Sequence, residues 1–256
     1  MGFLRKYGCI IIFLSLWELL SRTGIINPIF FPPFTVVLAT IYKMTLTGEM
    51  VIHVRLSLMR ALVGFFLATL MGVPLGLMLG TWFKSFYKFT ELPLEVLSQI
   101  NPFLLFHILI LFMGIGEAPK ITIVFWTCLW PITFSTMNGA SSVNKNLIKA
   151  GRAFGLGSFG LLTKIVLPAA SPLIFAGLRL GLGYSMFMLV AAEMMGASSG
   201  LGFLTLNSQE SFQLNKMYAA VVVIAFLGLL LDFIIYMIGR KYFLLANEGY
   251  VTVGEN

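Results

Sequence analysis

The sequence predicts an all-α integral membrane protein with six transmembrane helices and a cytoplasmic loop of two short helices. Of the 256 residues, 59% are hydrophobic and 11% are charged, whereas soluble domains are about 45–50% apolar and about 25% charged. Mean hydropathy is +0.95. Several apolar runs reach the ~20 residues that a helix needs to cross a bilayer. The composition argues against a soluble enzyme and excludes a disordered chain.

The charge and cysteine content fit the same class. The net charge is +7, and the basic residues occupy short gaps between apolar runs, as the positive-inside rule predicts for membrane proteins. We therefore expect membrane lipid, and no nucleic acid, as a partner. Cys9 and Cys128 lie inside apolar runs, at a spacing that indicates neither a metal site nor a disulfide framework.

The first predicted span covers residues 7–20 and follows Arg5 and Lys6. Its charge order resembles that of a signal peptide, but no small-x-small cleavage site follows. We therefore expect a retained span, with Glu18 near its outer end where water is reachable.

The second predicted span, residues 61–80, carries no charge. Gly72, Gly76 and Gly80 recur every four residues and fall on one face, which lets a neighbouring helix approach closely. Pro74 is expected to bend this helix.

Four further spans are predicted at about 92–113, 121–137, 173–195 and 217–238. The third of the six is broken at Asn101-Pro102. Arg179 in the fifth span is expected to snorkel to the interface, and Asp232 in the sixth is expected to be structural.

Six spans place both termini on one side, and the basic residues identify that side as cytoplasmic. The gaps on this side hold Arg5, Lys6, Lys84, Lys88, Lys145, Lys149, Arg152, Lys164, Arg240 and Lys241. The opposite gaps hold Arg22, Lys43, Lys120 and Lys216, with Arg55 and Arg60 at the start of the second span. Because Arg55 and Arg60 would lie outside, we expect the second helix to begin before the membrane.

Two long connections divide a single domain, residues 1–256, into segments. Residues 1–50 hold the first span and an extracytoplasmic segment, in which Pro32-Pro33 ends the first helix and a partly amphipathic stretch lies on the outer surface. Residues 51–240 form a five-helix core, which contains a cytoplasmic loop at 138–172. Residues 241–256 form a cytoplasmic tail.

The cytoplasmic loop predicts two short helices joined by a glycine turn. Leu147, Ala150 and Phe154 have helical spacing, and Gly155 and Gly157 end this helix. A second apolar stretch, residues 159–167, stops at Pro168. An exposed apolar stripe on such a pair is typical of a docking surface for another protein; a hairpin lying on the membrane surface is the alternative.

This loop resembles the coupling motif of ATP-binding-cassette (ABC) importer permeases. The motif reads Glu-Ala-Ala, three residues, Gly, nine residues, Ile, one residue, Leu-Pro. Every spacing is matched here by Lys149, Ala150, Gly151, Gly155, Ile165, Leu167 and Pro168. Lys149 and Gly151 depart from the motif. The resemblance implies the type I ABC importer permease fold, with these seven residues forming the ATPase-coupling loop.

Further segments resemble the subfamily that imports nitrate, sulfonates and taurine. They are residues 31–33, 57–60, 64–65, 72–76, 112–117 and 190–202; residues 101–107 depart from its pattern. The resemblance implies an inner-membrane permease subunit that forms a path with a second permease copy. It also implies two cytoplasmic ABC ATPases and an extracytoplasmic solute-binding protein as partners. A homodimer is expected, and a second, non-identical permease stays open.

The chain itself is not expected to be an enzyme. It contains no Gly-x-x-x-x-Gly-Lys-Ser/Thr segment to hold ATP phosphates. Residues 155–160 match Gly-x-Gly-x-x-Gly, but no strand precedes them, so dinucleotide binding is rejected. His53 and His107 are the only histidines and lie far apart in sequence, and no catalytic set, metal site or cofactor site is predicted.

Polar residues within apolar surroundings are the candidates for the translocation path or its gate: Asn101, His107, Glu193, Ser198 and Ser199. For His107 the alternative is a neutral side chain bonded to a neighbouring helix. The small residues at 196–202 favour a re-entrant or surface gate segment, where Glu193 is expected to pair or cap.

Two other classes of membrane protein fit the sequence less well than the importer. An intramembrane enzyme would need paired polar residues within the spans, and only isolated ones are visible. A stand-alone secondary carrier should have internal repeats, and none is found. Within the importer class, a vitamin precursor or another small heterocycle is the alternative solute.

Overall fold

A computed structural model describes residues 2–23, 27, 29–81 and 84–251. All regular elements in these ranges are helical, which confirms the all-α class. They are α1 (Gly2–Arg22), α2 (Phe34–Leu46), α3 (Glu49–Thr81), α4 (Lys84–Ser98), α5 (Pro102–Met113), α6 (Glu117–Ser141), α7 (Lys145–Ala153), α8 (Ser158–Leu161), a π-helical turn (Leu162–Val166), α9 (Leu167–Gly196), α10 (Leu201–Glu210) and α11 (Leu214–Val251).

Within the described ranges, three helical segments are long and apolar enough to cross a membrane. They are Glu49–Thr81, Ser158–Gly196 and Leu214–Arg240, and they contain the second, fifth and sixth predicted spans. The third predicted span is broken as expected: α4 and α5 meet at an angle of 80° beside Asn101. α1 and α6 contain the other two predicted spans without meeting the same criterion, so the count of six stays a prediction.

Two helix boundaries differ from the predicted spans, and the side chains of several basic residues and of Cys9 are not among those that the structure describes. α3 begins at Glu49, as the positions of Arg55 and Arg60 suggested. α11 continues to Val251, so the first residues of the predicted tail are helical. The side chains of Arg5, Lys6, Cys9, Lys84, Lys88 and Lys241 lie outside the described part of the chain.

Contacts group the chain into two compact units, Met1–Leu58 with Val190–Leu227 and Met59–Leu189 with Gly228–Asn256. In the first unit, Trp17 joins three segments. Its indole Nε1 donates to the Pro32 carbonyl over 3.0 Å, and its ring lies 5.3 Å from Phe31 and 6.0 Å from Tyr218. No helix runs through Pro32-Pro33: α1 already ends at Arg22, and α2 starts at Phe34, directly after the two prolines.

In the second unit, α3 and α6 pack closely against each other. A Cβ added at Gly76 would lie 2.5 Å from the Thr133 carbonyl oxygen, and one at Gly80 would lie 2.7 Å from the Met137 carbonyl oxygen. Gly72 faces side chains of the same helix, with Ile132 Cγ2 and Thr133 Oγ1 each 3.1 Å from an added Cβ. The predicted small-residue face is therefore confirmed as a helix-packing surface.

Gly76→Ala is expected to destabilise the protein by about 1–3 kcal/mol, because the added methyl group meets backbone that cannot move aside. Gly228→Ala is the matched control, since no atom lies within 4 Å of a Cβ added there. Thermal unfolding in detergent would measure both variants. Equal midpoints for the two variants would contradict the close contact.

Candidate functional site

The predicted coupling loop forms a helix–turn–helix in the second unit. The side chain of Asn144 caps α7 by accepting from the Asn146 amide over 2.9 Å. α7 ends at Ala153, and Gly155 follows with φ +80°, a left-handed conformation that favours glycine. Gly157 was also predicted to end α7, but it instead lies directly before the first residue of α8.

One side of this loop is exposed and apolar. Phe154 is 87% exposed, Phe159 75% and Leu147 51%; these three residues are called the docking patch below. Lys149 and Ala150 of α7 are also exposed. Large apolar side chains grouped on a surface are typical of an interaction site.

The other side of the loop packs inward. Gly151 is buried, and a Cβ added there would lie 2.5 Å from Ile165 Cδ1. Ile148, Leu162 and Ile165 pack against a cluster formed by Ala140, Val143 and Val166. The motif is thus divided. Lys149, Ala150 and Gly155 are exposed, whereas Gly151 packs α7 against Ile165 and Leu161, and Ile165 packs against the cluster that contains Ala140 of α6.

The prediction that the second loop helix stops at Pro168 is wrong. Residues 158–196 form one continuous helix, in which Leu167 and Pro168 open α9. Proline lacks an N–H donor, and its ring clashes with the carbonyl four residues earlier in a regular α-helix. The π-helical turn Leu162–Val166 shifts the hydrogen-bond register immediately before Pro168, and the helix continues.

Glu193 is the centre of a buried cluster in the first unit, the Glu193 clamp. Its carboxylate accepts from Ser57 Oγ, over 2.9 and 2.8 Å to its two oxygens, and from the Gly202 amide over 3.0 Å. Ser57 Oγ in turn accepts from the Leu201 amide over 2.8 Å. The clamp therefore joins α3 and α9 to the first amides of α10, which is the capping role predicted for Glu193.

His53 extends the clamp to residue 200. Its Nδ1 accepts from the Gly200 amide over 3.0 Å, so this nitrogen carries no proton in the hydrogen-bonded form. Gly200 has φ +120°, and an added Cβ there would meet the Glu193 carboxylate. Ser198 is exposed and Ser199 is half-buried in the same loop.

The two remaining candidates lie on α5 in the second unit. Asn101 caps this helix, since its Oδ1 accepts from the Phe103 amide over 2.9 Å. His107 is exposed, and its Nδ1 lies 2.8 Å from the Phe103 carbonyl oxygen. His107 is therefore bonded within its own helix and not, as the alternative supposed, to a neighbouring one.

Sequence reasoning missed an ion-pair cluster at the start of α6. Arg60 Nη2 donates to Glu117 Oε1 over 2.8 Å, and Lys120 Nζ donates to the same oxygen over 3.0 Å. Both cations are buried, whereas 57% of the Glu117 side chain is exposed. The hydrogen bond from Arg60, and then that from Lys120, holds the pKa of the Glu117 carboxyl below its usual range. The Glu117–Lys120 spacing of i, i+3 was the only sequence signal.

The ion pairs of Glu117 are expected to contribute stability throughout the neutral range. Because the folded-state pKa is lowered, this contribution is complete above the ordinary value of 4.5 and is lost only as the pH falls below it. Thermal midpoints measured from pH 7 down to pH 3 should therefore converge for the wild type and Glu117→Gln at the acid end. A constant difference across that range would contradict the ion pairs.

Arg179 and Asp232 also form a pair that the sequence did not predict. Arg179 Nη2 donates to Asp232 Oδ2 over 2.6 Å, and its guanidinium lies 5.7 Å from the centre of the Tyr236 ring. Neither charge is isolated, so snorkelling is not needed to explain Arg179. The pair joins α9 to α11 and supports the structural role predicted for Asp232.

Comparisons with known proteins identify one family. The family described as "Binding-protein-dependent transport system inner membrane component" matches residues 72–243. The SsuC permease protein of Bacillus subtilis (strain 168), named for aliphatic sulfonates transport, is 32% identical over 90% of this chain and 83% of its own length.

Other relatives are named for different solutes. The taurine transport system permease protein TauC of Escherichia coli (strain K12) is 29% identical over 88% of this chain and 83% of its own length. The nitrate import permease protein NrtB of Synechocystis sp. is 33% identical over 71% and 66%. A solved inward-facing structure of the MetNI methionine ABC transporter superposes with a TM-score of 0.68 at 21% identity, over 75% of this chain and 95% of that chain. This likeness shows the fold.

Proposed function

Because this chain belongs to the family of inner membrane components of binding-protein-dependent transport systems, we propose that it is the permease subunit of an ATP-driven importer for a small solute. It is a multi-pass membrane protein without an ATP-binding motif of its own. ATP is therefore hydrolysed by a partner subunit. An extracytoplasmic binding protein delivers the solute, and both termini of the permease are cytoplasmic.

The observation that carries this proposal is the geometry of the coupling loop. The docking patch exposes Phe154, Phe159 and Leu147 on a short helix–turn–helix, while Gly151 and Ile165 pack inward. A compact projection of this kind fits an apolar recess on a globular partner. Each permease copy binds one ATPase, and two permease copies complete the path.

The seven motif residues have two roles in this proposal. Lys149, Ala150 and Gly155 lie at the contact with the ATPase. Gly151, Ile165, Leu167 and Pro168 fix the loop to the membrane helices, so that ATP-driven closure of the ATPases moves both together. The Glu193 clamp positions the segment that holds Ser198 and Ser199, and Asn101 and His107 stay candidates for the path.

The relatives' names favour a sulfonate, taurine or nitrate as the solute. A small heterocycle, such as a vitamin precursor, is the second candidate. The aromatic side chains Trp126, Trp130 and Tyr184, which line one cavity, favour it.

The test is purification of the chain from its native membrane in mild detergent, with mass spectrometry of the proteins bound to it. We expect an ABC ATPase in a 1:1 ratio to the permease. ATP-driven uptake by the reconstituted complex should follow when the binding protein is added. A chain that is purified without any ATPase would contradict the proposal.

A further inference from the structure

We propose that a groove along α6 is a solute subsite of the translocation path and that it takes a small solute with a flat aromatic or heteroaromatic ring. This inference rests on the proposed import function and adds the class of solute. The α6 groove consists of two adjoining cavities of about 370 and 970 Å³. Both are lined by Ser98, Gln99, Ile100 and Phe134, so they lie side by side along α6.

The groove lies beside the break between α4 and α5. From Trp126 to Asn138 it follows 13 residues of α6, whose 12 rises of 1.5 Å give a length of about 18 Å. Irregular backbone at membrane depth occurs where it lines a cavity or is buried in protein. The break at residues 99–101 meets this condition, because Ser98, Gln99 and Ile100 border the groove.

Aromatic rings form the wall of the smaller cavity. Trp126 and Trp130 meet edge to face with centroids 5.2 Å apart, and Trp130 stacks on Phe134 at 6.0 Å and an interplanar angle of 28°. Tyr184 lines the same cavity and is 49% exposed. Broad ring surfaces bury a flat apolar body efficiently and favour stacking geometry.

Apart from Glu95, the polar groups of the groove are neutral and include both hydrogen-bond donors and acceptors. Ser98 and Thr127 donate their hydroxyl protons to the Glu95 and Ile123 carbonyls, so towards a solute they offer oxygen acceptors. The exposed side chains of Gln99 and Tyr184 offer donors. A ring with polar substituents can use both kinds of group.

Charge argues against a bare inorganic anion. Among the described residues that line the groove, none is Lys, Arg or His, and the single charged residue is Glu95. A small oxyanion such as nitrate would lose hydration here without a cation to replace it, which is costly. An aryl sulfonate and a neutral heterocycle both have a flat ring that could stack on the aromatic side chains of the groove. They differ in their polar substituents, which are charged in the sulfonate and neutral in the heterocycle.

Two buried indole N–H groups also favour a solute that carries hydrogen-bond acceptors. Trp126 Nε1 and Trp130 Nε1 are shielded from water and have no hydrogen-bond acceptor in the described part of the structure. An acceptor on a solute can reach either donor only if the ring turns about its side-chain bonds. Buried donors without acceptors are rare in folded proteins, and they occur here on the wall of the groove.

The test is thiol labelling of the full-length permease, co-expressed with its ATPase, in inside-out membrane vesicles. Cys9→Ser and Cys128→Ser provide the background, and Thr127→Cys or Gln99→Cys places a thiol in the groove. Leu229→Cys is the matched control: Leu229 lies outside the groove, is 71% exposed and belongs to the segment Leu214–Arg240, where we expect lipid and not water around the side chain. A water-borne methanethiosulfonate should label the groove positions at least about tenfold faster than the control, because the reaction needs a hydrated thiolate.

Benzenesulfonate, 4-amino-2-methylpyrimidine, taurine and nitrate are then compared as protectants of Thr127→Cys. We expect benzenesulfonate or 4-amino-2-methylpyrimidine to slow the labelling, and taurine and nitrate to leave it unchanged. Which of the two ring compounds protects shows whether the polar substituent of the solute is charged or neutral. Equal protection by nitrate or taurine, or groove labelling no faster than at the control, would overturn the proposal. The ATPase recovered from the same vesicles reports separately on the import function.

Discussion

Phe154→Asp is expected to release the ATPase from the permease and to abolish ATP-driven uptake while leaving the permease folded. Phe154 is 87% exposed, so its replacement removes little packing inside the chain. At an interface, an aromatic anchor is worth about 2 kcal/mol or more, which corresponds to about a 30-fold loss of affinity. A buried carboxylate would weaken the contact further.

The measurement is the amount of ATPase that is purified with the tagged permease, together with uptake by the reconstituted complex. Phe212→Asp is the matched control: Phe212 is 81% exposed and precedes α11. It should leave both quantities unchanged. If Phe154→Asp retained the ATPase at the wild-type ratio, the docking patch would not be the contact.

Glu193→Ala is expected to destabilise the protein strongly and to loosen the start of α10. Glu193 is fully buried, and its removal leaves Ser57 Oγ and the Gly202 amide without the acceptor that they now share. Two buried donors at about 1–3 kcal/mol each give about 2–6 kcal/mol. The effect should be largest locally, because the clamp holds the first amides of α10.

Hydrogen exchange at the Leu201 and Gly202 amides, and the thermal midpoint in detergent, would measure this loss. Glu193→Gln keeps an acceptor oxygen and should lose less than Glu193→Ala. Glu210→Gln, at an exposed position on the same helix, should change neither quantity. Unaltered exchange at Gly202 in Glu193→Ala would show that the carboxylate does not hold α10.

The features that could be predicted from sequence are those encoded at short range. Glycines repeating every four residues predicted a close helix contact on one face of α3, because only helical periodicity was needed; the structure identifies α6 as the partner. The turn at Gly155 followed from a glycine after an amphipathic stretch, and its φ of +80° bears this out. Asn101-Pro102 marked the helix break because proline favours the first turn of a helix.

The features that could not be predicted depend on contacts between distant residues. Ser57 and Glu193 are 136 residues apart, and Arg60 and Glu117 are 57 apart. No local pattern relates the two members of either pair. The continuation of the helix through Pro168 was missed for another reason: a π-helical turn has no sequence signal as clear as that of a capping residue.

The glycine contacts between α3 and α6 also determine how these helices can transmit a displacement. A contact between side chains can absorb a shift by changing rotamer, but Gly76 and Gly80 face carbonyl oxygens of α6, and backbone has no such freedom. From Gly64 to Gly80 the contact extends over 16 residues, about 24 Å along the axis. We therefore expect α3 and α6 to move together over this length, so that a displacement beside Gly80 also shifts the region of Gly64.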